Sequence, residues 1–383
     1  MQFDLRNTTR IVFGTGQIGR LGELAAGFRR VLVLYGGGSI KRNGVHRQVM
    51  EALSGHDVVE FSGIEPNPEY ATILAAARLA RAQGVDFVLG VGGGSVIDAA
   101  KFLATIVPLA EGDAWDRLAA GERPERAMAN GAVLTLPATG SESNPVSVIS
   151  RRERGLKIPF AFEGARPLFA VLDPSTMKSL DRRQLENGVV DAITHVLEQY
   201  LTLPVNAPVQ TGFSEVLLKV LFEWGPRLIA EDSDEARETV MWAANQALNG
   251  LVGAGVPQDW STHMIGHALT ALYGIDHARS LTLVMPSLLE YKLEDKLAML
   301  ARYARKVWGV TAATDEYAAA EGIVRTRAFF GLMGCPVRLR ELQPLAVDAE
   351  AVVEHVARAG QLPLGERRDI GRTDIRAILE RAA

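Results

Sequence analysis

The first half of the 383-residue chain alternates short apolar runs with amphipathic stretches. A nearly continuous apolar run is typical of a strand that is buried on both faces of a sheet. The runs are "RIVF" (10–13), "VLVLY" (31–35), "VVEF" (58–61), "DFVLGV" (86–91) and "AVLTLP" (132–137). Helical patterns lie between them, at about 18–27, 40–53, 69–83 and 95–107. This alternation predicts a parallel sheet with helices on both faces, whose ligands bind at the carboxyl ends of the strands.

The second half of the chain has a different character. After residue 180 the strand signal disappears, and segments such as "QLENGVVDAITHVLEQYL" and "VMWAANQALNGLVGAG" have helical periodicity. A chain of this length also exceeds what one ordinary core supports. We therefore predict an α/β domain over residues 1–180 and an all-helical domain over residues 181–383, with the boundary after "VLDP".

The composition excludes several classes of protein. The net charge is −4 and no run of Lys or Arg stands out, so neither nucleic acid nor an acidic membrane surface is an expected partner. No apolar stretch is long enough to span a membrane, and the first ten residues, "MQFDLRNTTR", lack the apolar core of a secretory signal. The single cysteine, Cys335, excludes a disulfide within the chain. These features indicate a cytoplasmic protein.

The clearest ligand-binding motif is "VDFVLGVGGGSVIDAAK", in which a strand leads directly into three glycines and a helix. Glycines let the backbone approach a phosphate, and Ser95 is placed to cap the helix, whose first amides favour an anion. A tight strand-to-helix turn is the alternative. The earlier "GTGQIG" (14–19) matches G-x-G-x-x-G, but no acidic residue follows near 35–39, so it reads more simply as a turn.

A second glycine-rich segment, "YGGGSIKR" (35–42), follows the second strand. An acidic residue here would bind the 2′-hydroxyl of NAD and repel a 2′-phosphate. This segment has no acid and carries Ser39, Lys41 and Arg42 instead. That pattern favours NADP(H) over NAD(H), although an exposed loop with a solvated basic pair would look the same.

Two helical segments contain four of the seven histidines and one well-placed carboxylate. Asp191 and His195 are four residues apart and lie on one helix face among apolar neighbours, where a charge needs a partner or a metal. In "HMIGHALTALYGIDH", His263 and His267 have the same spacing, and His277 follows a Gly-containing break. A carboxylate with imidazoles and no thiolate suits zinc or iron(II). A metalloprotease is disfavoured, because "HMIGH" has no Glu beside its first histidine.

Five motifs together resemble the iron-containing (group III) alcohol dehydrogenases over essentially the whole chain. They occur in the order "GGGSVID", "LTLPATGSESN", "LDP", "DAITHVLE" and "HMIGHALTALYGIDH". The segments "YGGGSIKRNGV", "GIEPNP" and "GVPQDWSTHMIGH" look closest to the NADPH-dependent aldehyde reductase and butanol dehydrogenase-like branch. The resemblance implies a dehydroquinate synthase-like fold, with an N-terminal dinucleotide-binding α/β domain and an all-α C-terminal domain. It also implies that the metal and the nicotinamide meet between the two domains.

The resemblance further implies the site residues. The metal ligands carried over are Asp191, His195, His263 and His277. His267 matches a histidine that lies near the nicotinamide and does not bind the metal. The cofactor-binding residues carried over are Gly37, Gly38, Ser39, Asn67, Gly93, Gly94, Ser95, Asp98, Thr135, Thr139, Asn144 and Lys157.

The function that the resemblance implies is a metal-dependent NADP(H) alcohol dehydrogenase or aldehyde reductase, working as a homodimer. Hydride would pass between C4 of the nicotinamide and the carbonyl carbon of a short or medium aldehyde bound to a divalent metal, with His267 as a candidate catalytic proton relay. Two other functions stay open at this point: a related polyol dehydrogenase on the same fold, and a binding protein that has lost turnover. The ligand set accepts both zinc and iron(II), and it specifies neither the substrate nor the direction of reaction.

Overall fold

The computed structural model describes residues 1–109 and 112–383. Its contacts divide the chain into two compact units. One unit is Arg6–Leu180, and the other combines Met1–Leu5 with Asp181–Ala383.

The Arg6–Leu180 unit is built around a six-stranded sheet in which all neighbouring strands are parallel. The described strands are β1 (Arg10–Phe13), β2 (Arg30–Tyr35), β3 (Asp57–Phe61), β4 (Phe87–Gly93), β5 (Ala129–Leu136), β6 (Val146–Arg151), β7 (Leu156–Ala161) and β8 (Phe169–Leu172). The strand order in the sheet is β1-β8-β5-β4-β2-β3, and β6 and β7 form a separate antiparallel pair. The predicted parallel sheet is therefore confirmed.

Helices cover both faces of this sheet, and strand β2 shows why its sequence is continuously apolar. Leu32 and Leu34 pack in one core cluster, whereas Val31 and Val33 pack in another. Successive side chains of a strand point to opposite faces, so a strand between two helical layers needs apolar residues at every position. The α-helices described in this unit are α1 (Leu21–Leu24), α2 (Ser39–Arg42), α3 (Val45–Ala52), α4 (Tyr70–Gln83), α5 (Gly94–Ile106) and α6 (Ala114–Ala119).

The strand order creates a switch point between β2 and β4. These two strands are hydrogen-bonded neighbours, but β2 is followed by β3 on one side and β4 is followed by β5 on the other. Connections that leave in opposite directions open a crevice at the carboxyl ends of the strands, which is where ligands of such sheets bind. Both glycine-rich segments, after Tyr35 and after Val91, lie at this point.

The described elements of the second unit are all helices, as predicted, apart from an isolated antiparallel bridge between Leu364 and Ile370. Its first helix begins with a capping box, in which Asp181 accepts a hydrogen bond from the backbone N–H of Gln184 at 2.8 Å. The helices are α7 (Arg182–Tyr200), α8 (Pro208–Ala230), α9 (Asp234–Ala247), α10 (Ser261–Tyr273), α11 (His277–Tyr291), α12 (Leu297–Lys306), α13 (Asp315–Leu332), α14 (Ala349–Arg358) and α15 (Arg372–Ala382).

The first five residues belong to the helical unit, although the sequence prediction placed them in the α/β domain. A side chain built on Gly255 would meet both Met1 and Phe3 at 2.7 Å, so these apolar groups lie directly on that loop. A Cβ on Gly250 would lie 3.5 Å from Leu5 Cδ1, which is an ordinary van der Waals contact. The segment has no strand pattern that would have joined it to the sheet, and its position follows from these contacts. Within residues 1–109 and 112–383, no helix has both the length and the apolar character needed to cross a membrane.

Candidate functional site

Helix α7 carries a stripe of three buried polar residues in an otherwise apolar environment. Asp191, His195 and Glu198 follow each other at spacings of four and three, which places them on one side of the helix. All three are buried. The sequence pattern predicted the first two members of this stripe but did not include Glu198.

Two further histidines come from α10, and a third begins α11. His263 and His267 lie one helical turn apart on α10, which ends at Gly274 in the left-handed conformation (φ 67°). His277 is the first residue of α11, after the break that the sequence indicated.

The turn before His277 is attached to helix α7 by side-chain hydrogen bonds. The Asp276 carboxylate accepts from Arg183 Nε at 2.6 Å and from Asn187 Nδ2 at 2.9 Å. Arg183 also holds the pKa of the Asp276 carboxyl below its usual value, against the effect of burial, with Asn187 contributing. These bonds fix the start of α11 relative to the polar stripe of α7.

The four predicted ligands converge on one carboxylate oxygen. Asp191 Oδ1 lies 3.7 Å from His195 Nε2, 3.8 Å from His263 Nε2 and 3.7 Å from His277 Nε2. The ligand atoms of Asp191, His195 and His263 are all within 4.8 Å of one another, while the side chain of His277 is more exposed, at 24%. Bonds of about 2.0–2.1 Å to a tetrahedral metal would place ligand atoms about 3.3 Å apart, so the distances from Asp191 Oδ1 to the three imidazoles would have to shorten by about 0.4–0.5 Å.

The chemistry of this cluster fits a divalent cation. Asp191 Oδ1 and His263 Nε2 are buried, and neither has a hydrogen-bond partner among the residues that the structure describes. Buried polar atoms without partners are costly, and a shared metal removes that cost. Burial disfavours ionisation of Asp191, yet the surrounding imidazoles of His195, His263 and His277 hold the pKa of its carboxyl well below the ordinary value. The carboxylate is therefore available as an anionic ligand.

Glu198 lies behind His263, on the side away from Asp191. One carboxylate oxygen, Oε2, is hydrogen-bonded to His263 Nδ1, and the other accepts from the backbone N–H of Thr262 at 2.6 Å. Burial alone would lower the pKa of His263, but the carboxylates of Glu198 and Asp191 raise it to about 9. Burial also raises the pKa of Glu198 itself. The sequence did contain a signal for Glu198, since its spacing of three from His195 places it on the same side of α7 as Asp191 and His195.

Two more side chains border the cluster. The His267 ring is buried, with its centroid 5.1 Å from the ring of His277 and 6.2 Å from the ring of His263. The indole of Trp260 lies 5.2 Å from the ring of His263 and 6.1 Å from that of His195. Trp260 has a φ of 62°, a conformation that a bulky residue adopts only when its surroundings require it.

In the α/β unit, the segment "GGGS" (92–95) forms the turn from β4 into α5. The helix begins at Gly94, with Gly93 as its N-cap and no side-chain cap. The expected capping role of Ser95 is therefore wrong, because its hydroxyl accepts the backbone N–H of Asn67 at 3.3 Å instead. A Cβ on Gly94 would collide with the side chain of Thr139, so this turn requires glycine. The first amides of α5 are left to face the switch point.

Three predicted cofactor residues that are distant in sequence meet beside this turn. Asn67 has a left-handed φ of 60° and bonds Ser95 through its backbone. Its side-chain oxygen accepts from Lys157 Nζ at 2.8 Å. Lys157 lies on β7, paired with Ser150 of β6. The β6–β7 pair therefore places the buried Lys157 against the loop that follows β3.

Asp98 and Asn144, also predicted cofactor residues, lie beneath the turn. Asp98 accepts from Ser141 Oγ at 2.5 Å and from the backbone N–H of Val148 at 2.9 Å, and its Oδ1 is 3.5 Å from Lys101 Nζ. Asn144 Oδ1 accepts from the same lysine at 3.1 Å. Burial lowers the pKa of Lys101 to about 8, against the opposing effect of Asp98. Thr135 is likewise buried, near the end of β5.

The loop after β2 contains the predicted 2′ end of the nucleotide site. Gly37 and Ser39 are exposed, and Gly38 has a φ of 92° that favours glycine. Lys41 Nζ lies 3.6 Å from the Glu60 carboxylate, at the end of β3. An acidic residue is therefore present at the strand ends, but it comes from β3 and was not visible in the local pattern after β2.

The "GTGQIG" segment is remote from the switch point. It follows β1, the strand at the opposite edge of the sheet from β3. The N–H of Gly16 donates to Asp173 Oδ2 at 2.7 Å, and Gly14 and Gly16 both have positive φ values. This geometry agrees with the interpretation of the segment as a turn.

Residues 8–174 match the family described as iron-containing alcohol dehydrogenase, and residues 186–383 match its C-terminal family. The chain belongs to the iron-containing alcohol dehydrogenase family. It is 47% identical over 383 residues to the NADPH-dependent aldehyde reductase YqhD of Escherichia coli (strain K12), with 99% of each chain covered. The predicted family is thus confirmed.

Solved structures of other family members match over the full chain. The substrate- and cofactor-free form of the aldehyde reductase YqhD from E. coli has a TM-score of 0.93 and 45% identity, with 100% of both chains covered. The NADH-dependent butanol dehydrogenase A from Thermotoga maritima has a TM-score of 0.95 and 36% identity, covering 100% of this chain and 98% of that one. These likenesses confirm the predicted fold class.

The buried pair of Asp98 and Lys101 yields a test of what Asp98 does. We expect Asp98→Asn to lower the free energy of unfolding by roughly 3 kcal/mol at neutral pH, because it leaves a buried ammonium without its carboxylate. Adding Lys101→Met should recover part of that loss. Urea unfolding of both variants measures it. An unchanged unfolding free energy together with a raised KM for the nicotinamide cofactor would instead place Asp98 in contact with the cofactor.

The loss of unfolding free energy in Asp98→Asn should depend on pH. Without Asp98 the pKa of Lys101 falls below its value of about 8, so the native variant gives up its proton at a lower pH than the native wild type. Over that interval the native variant binds fewer protons, and its stability rises more steeply with pH. The difference in unfolding free energy between wild type and Asp98→Asn is therefore largest below neutral pH and becomes smaller as the pH approaches 8.

Proposed function

We propose that this chain is a metal-dependent, NADP(H)-linked aldehyde reductase and alcohol dehydrogenase acting on short or medium aldehydes. The observation that carries the proposal is the convergence of three imidazole Nε2 atoms on Asp191 Oδ1 at 3.7–3.8 Å. The full-length likeness to an enzyme named NADPH-dependent aldehyde reductase supports the reaction class.

We assign the metal to Asp191, His195, His263 and His277. One carboxylate and three neutral imidazoles leave a single net positive charge on a divalent ion, and zinc and iron(II) both accept this set. The bound ion supplies Lewis acidity toward a carbonyl or alcohol oxygen. The chain's own contribution is to supply the anionic ligand and to restrict solvent, with Trp260 lying against two of the ligand rings.

We assign His267 to the substrate side of the site. It lies next to His277 on a helix face that it shares with His263, and it is buried. A neutral imidazole in such a position can hold a proton on one ring nitrogen and exchange it with an oxygen of the substrate. His267 is therefore proposed as a proton relay and not as a ligand.

We assign the nicotinamide cofactor to the switch point between β2 and β4, with NADP(H) preferred. The proposal is supported by the glycine turn at Gly93 and Gly94, which leaves the first amides of α5 for a pyrophosphate. Lys41 and the neighbouring Arg42 supply cationic groups for a 2′-phosphate, and Glu60 partly offsets Lys41. The cofactor carries the hydride, and the chain's task is to hold it in position.

Metal content tests the ligand assignment. We expect alanine in place of Asp191, His195 or His263 to abolish stoichiometric metal binding, because each removes a buried ligand atom, whereas His267→Ala keeps the metal and loses turnover. Elemental analysis of the purified proteins, with aldehyde reduction measured in parallel, distinguishes these outcomes. Unchanged metal in any two ligand variants contradicts the assignment. Full metal without turnover in the wild-type protein would favour a binding protein.

Cofactor preference has its own test. We expect Lys41→Ala to reduce kcat/KM with NADPH about tenfold or more, since a charge-assisted bond is worth roughly 1.5–3 kcal/mol, and to leave NADH almost unaffected. Glu60→Gln should raise kcat/KM with NADPH, because it removes the carboxylate that lies 3.6 Å from Lys41 Nζ. Initial rates with butanal and each cofactor measure both effects. Lys219, exposed on α8 in the other unit, offers a matched alanine control. Equal losses with both cofactors would argue against a 2′-phosphate contact.

We also propose that the chain is a cytoplasmic homodimer. Helix α8 exposes Val209, Phe213 and Val216 at spacings of four and three, which makes a continuous apolar stripe that water disfavours. A second copy of the chain is the proposed occupant. The cytoplasmic assignment is supported by the single cysteine, which is buried and free.

The stripe on α8 tests the dimer. We expect Val209→Asp combined with Phe213→Glu to shift the protein from about twice the chain mass of 41.4 kDa to the monomer mass, because charges would have to be buried at the contact. Sedimentation equilibrium measures the change. Replacing the exposed Trp242 of α9 with Glu serves as a control at another apolar position. A dimer that survives the double substitution would exclude this stripe as its interface.

A further inference from the structure

We propose that Glu198 is a positioning residue that fixes the tautomer and the orientation of His263 for metal binding. This inference rests on the proposed metal site. Glu198 belongs to the polar stripe of α7 and reaches across to α10, where it binds the ligand ring and the adjacent backbone. Each of its two oxygens has one of these partners.

The tautomer argument follows from the chemistry of imidazole. A neutral histidine carries one ring proton, and only the unprotonated nitrogen can bind a metal. His263 directs Nε2 toward Asp191 Oδ1 at 3.8 Å, so a metal held between these two atoms requires the ring proton on Nδ1. The acceptor at Nδ1 is Glu198 Oε2. An ionised carboxylate has acceptors and no donor, and it therefore selects the tautomer that leaves Nε2 free for the metal.

The orientation argument follows from the second oxygen. Glu198 Oε1 accepts from the backbone N–H of Thr262 at 2.6 Å, and the Glu198 carbonyl accepts from the backbone N–H of Asp259 at 3.0 Å. The Thr262 N–H belongs to the first turn of α10, where the helix leaves its amides without internal partners and favours a negative charge. Glu198 thus holds the start of α10 against α7, and the two helices contribute three of the four ligands.

Glutamine at this position would keep the size of the side chain but replace one carboxylate oxygen, which accepts a hydrogen bond, with an amide N–H₂, which donates. If its oxygen stays on the Thr262 N–H, its amide donates toward His263 Nδ1 and drives the proton to Nε2, which blocks the metal. If the amide is flipped, its N–H₂ faces the Thr262 N–H, and the helix loses its acceptor. Either arrangement weakens the same ligand.

Metal affinity is the direct measurement. We expect Glu198→Gln to bind Zn²⁺ about 10–100-fold more weakly than wild type, the range seen when the outer partner of a ligand histidine is lost. Competition with a chromophoric chelator measures the Zn²⁺ affinity of the full-length protein, whatever its oligomeric state, and does not depend on turnover. Glu215→Gln is the matched control, because Glu215 is a well-packed glutamate of the same unit that binds Tyr200 and Arg302 and no histidine. Its affinity should stay within about twofold of wild type.

A double-substitution cycle separates positioning from general damage. His263→Ala is not expected to keep its metal through purification, but the weak Zn²⁺ affinity of its three remaining ligands is measurable by direct titration. In that background Glu198→Gln should cause almost no further loss of affinity, because the ligand through which it acts is gone. Equal losses in both backgrounds would show only a structural role and overturn the inference. Unchanged affinity of Glu198→Gln would overturn it as well. A wild-type protein that binds no metal would instead refute the proposed function on which the inference rests.

A second variant covers the case in which Glu198→Gln does not fold. Glu198→Asp keeps the acceptor oxygens and the charge but withdraws them by one methylene. We expect its Zn²⁺ affinity to lie below that of wild type and above that of the glutamine variant. An aspartate variant that binds as tightly as wild type while its circular dichroism is native would overturn the inference.

Discussion

The buried carboxylate of Asp191 is the constraint on which the helical unit depends. An unpaired charge in the interior costs several kcal/mol, and the neighbours of Asp191 along α7 are apolar. The compensation comes from imidazoles on α7, α10 and α11, so these three helices have to pack with their polar stripes facing one another. Glu198 and Asp276 add fixed hydrogen bonds from each partner helix to α7. The stability of this region and its proposed chemistry therefore share one set of contacts.

The α/β unit is organised around a different constraint, which is the reversal of strand order at the carboxyl ends of a closely packed sheet. The glycines that follow β2 and those that end β4 provide backbone without side chains where the strand order reverses, between these two strands. On α5, the pair of Asp98 and Lys101 joins the helix that begins at this turn to Ser141, Asn144 and Val148 of β6.

Much of the fold and the candidate site could be predicted from the sequence, because the signals were local. Continuous apolar runs gave β1 to β5 to within a few residues, and the four-residue spacings identified Asp191 with His195 and His263 with His267. The break before His277 was also visible. The sequence prediction was wrong where a contact with a residue distant in the sequence overrides the local preference. Ser95 has the chemistry of a helix cap, but its hydroxyl is engaged by the Asn67 backbone, and the first five residues pack on a loop more than 240 residues away.

The sequence by itself determined the fold class, the two glycine turns and the residue types of a metal site, since strand and helix periodicity and the conformational freedom of glycine act over a few residues. Only the tertiary structure decided which remote side chains meet. Glu198 reaches His263, Lys157 reaches Asn67, and Glu60 reaches Lys41. Each pair depends on how two elements pack, and packing is set by the combined burial of many side chains, which no local spacing encodes.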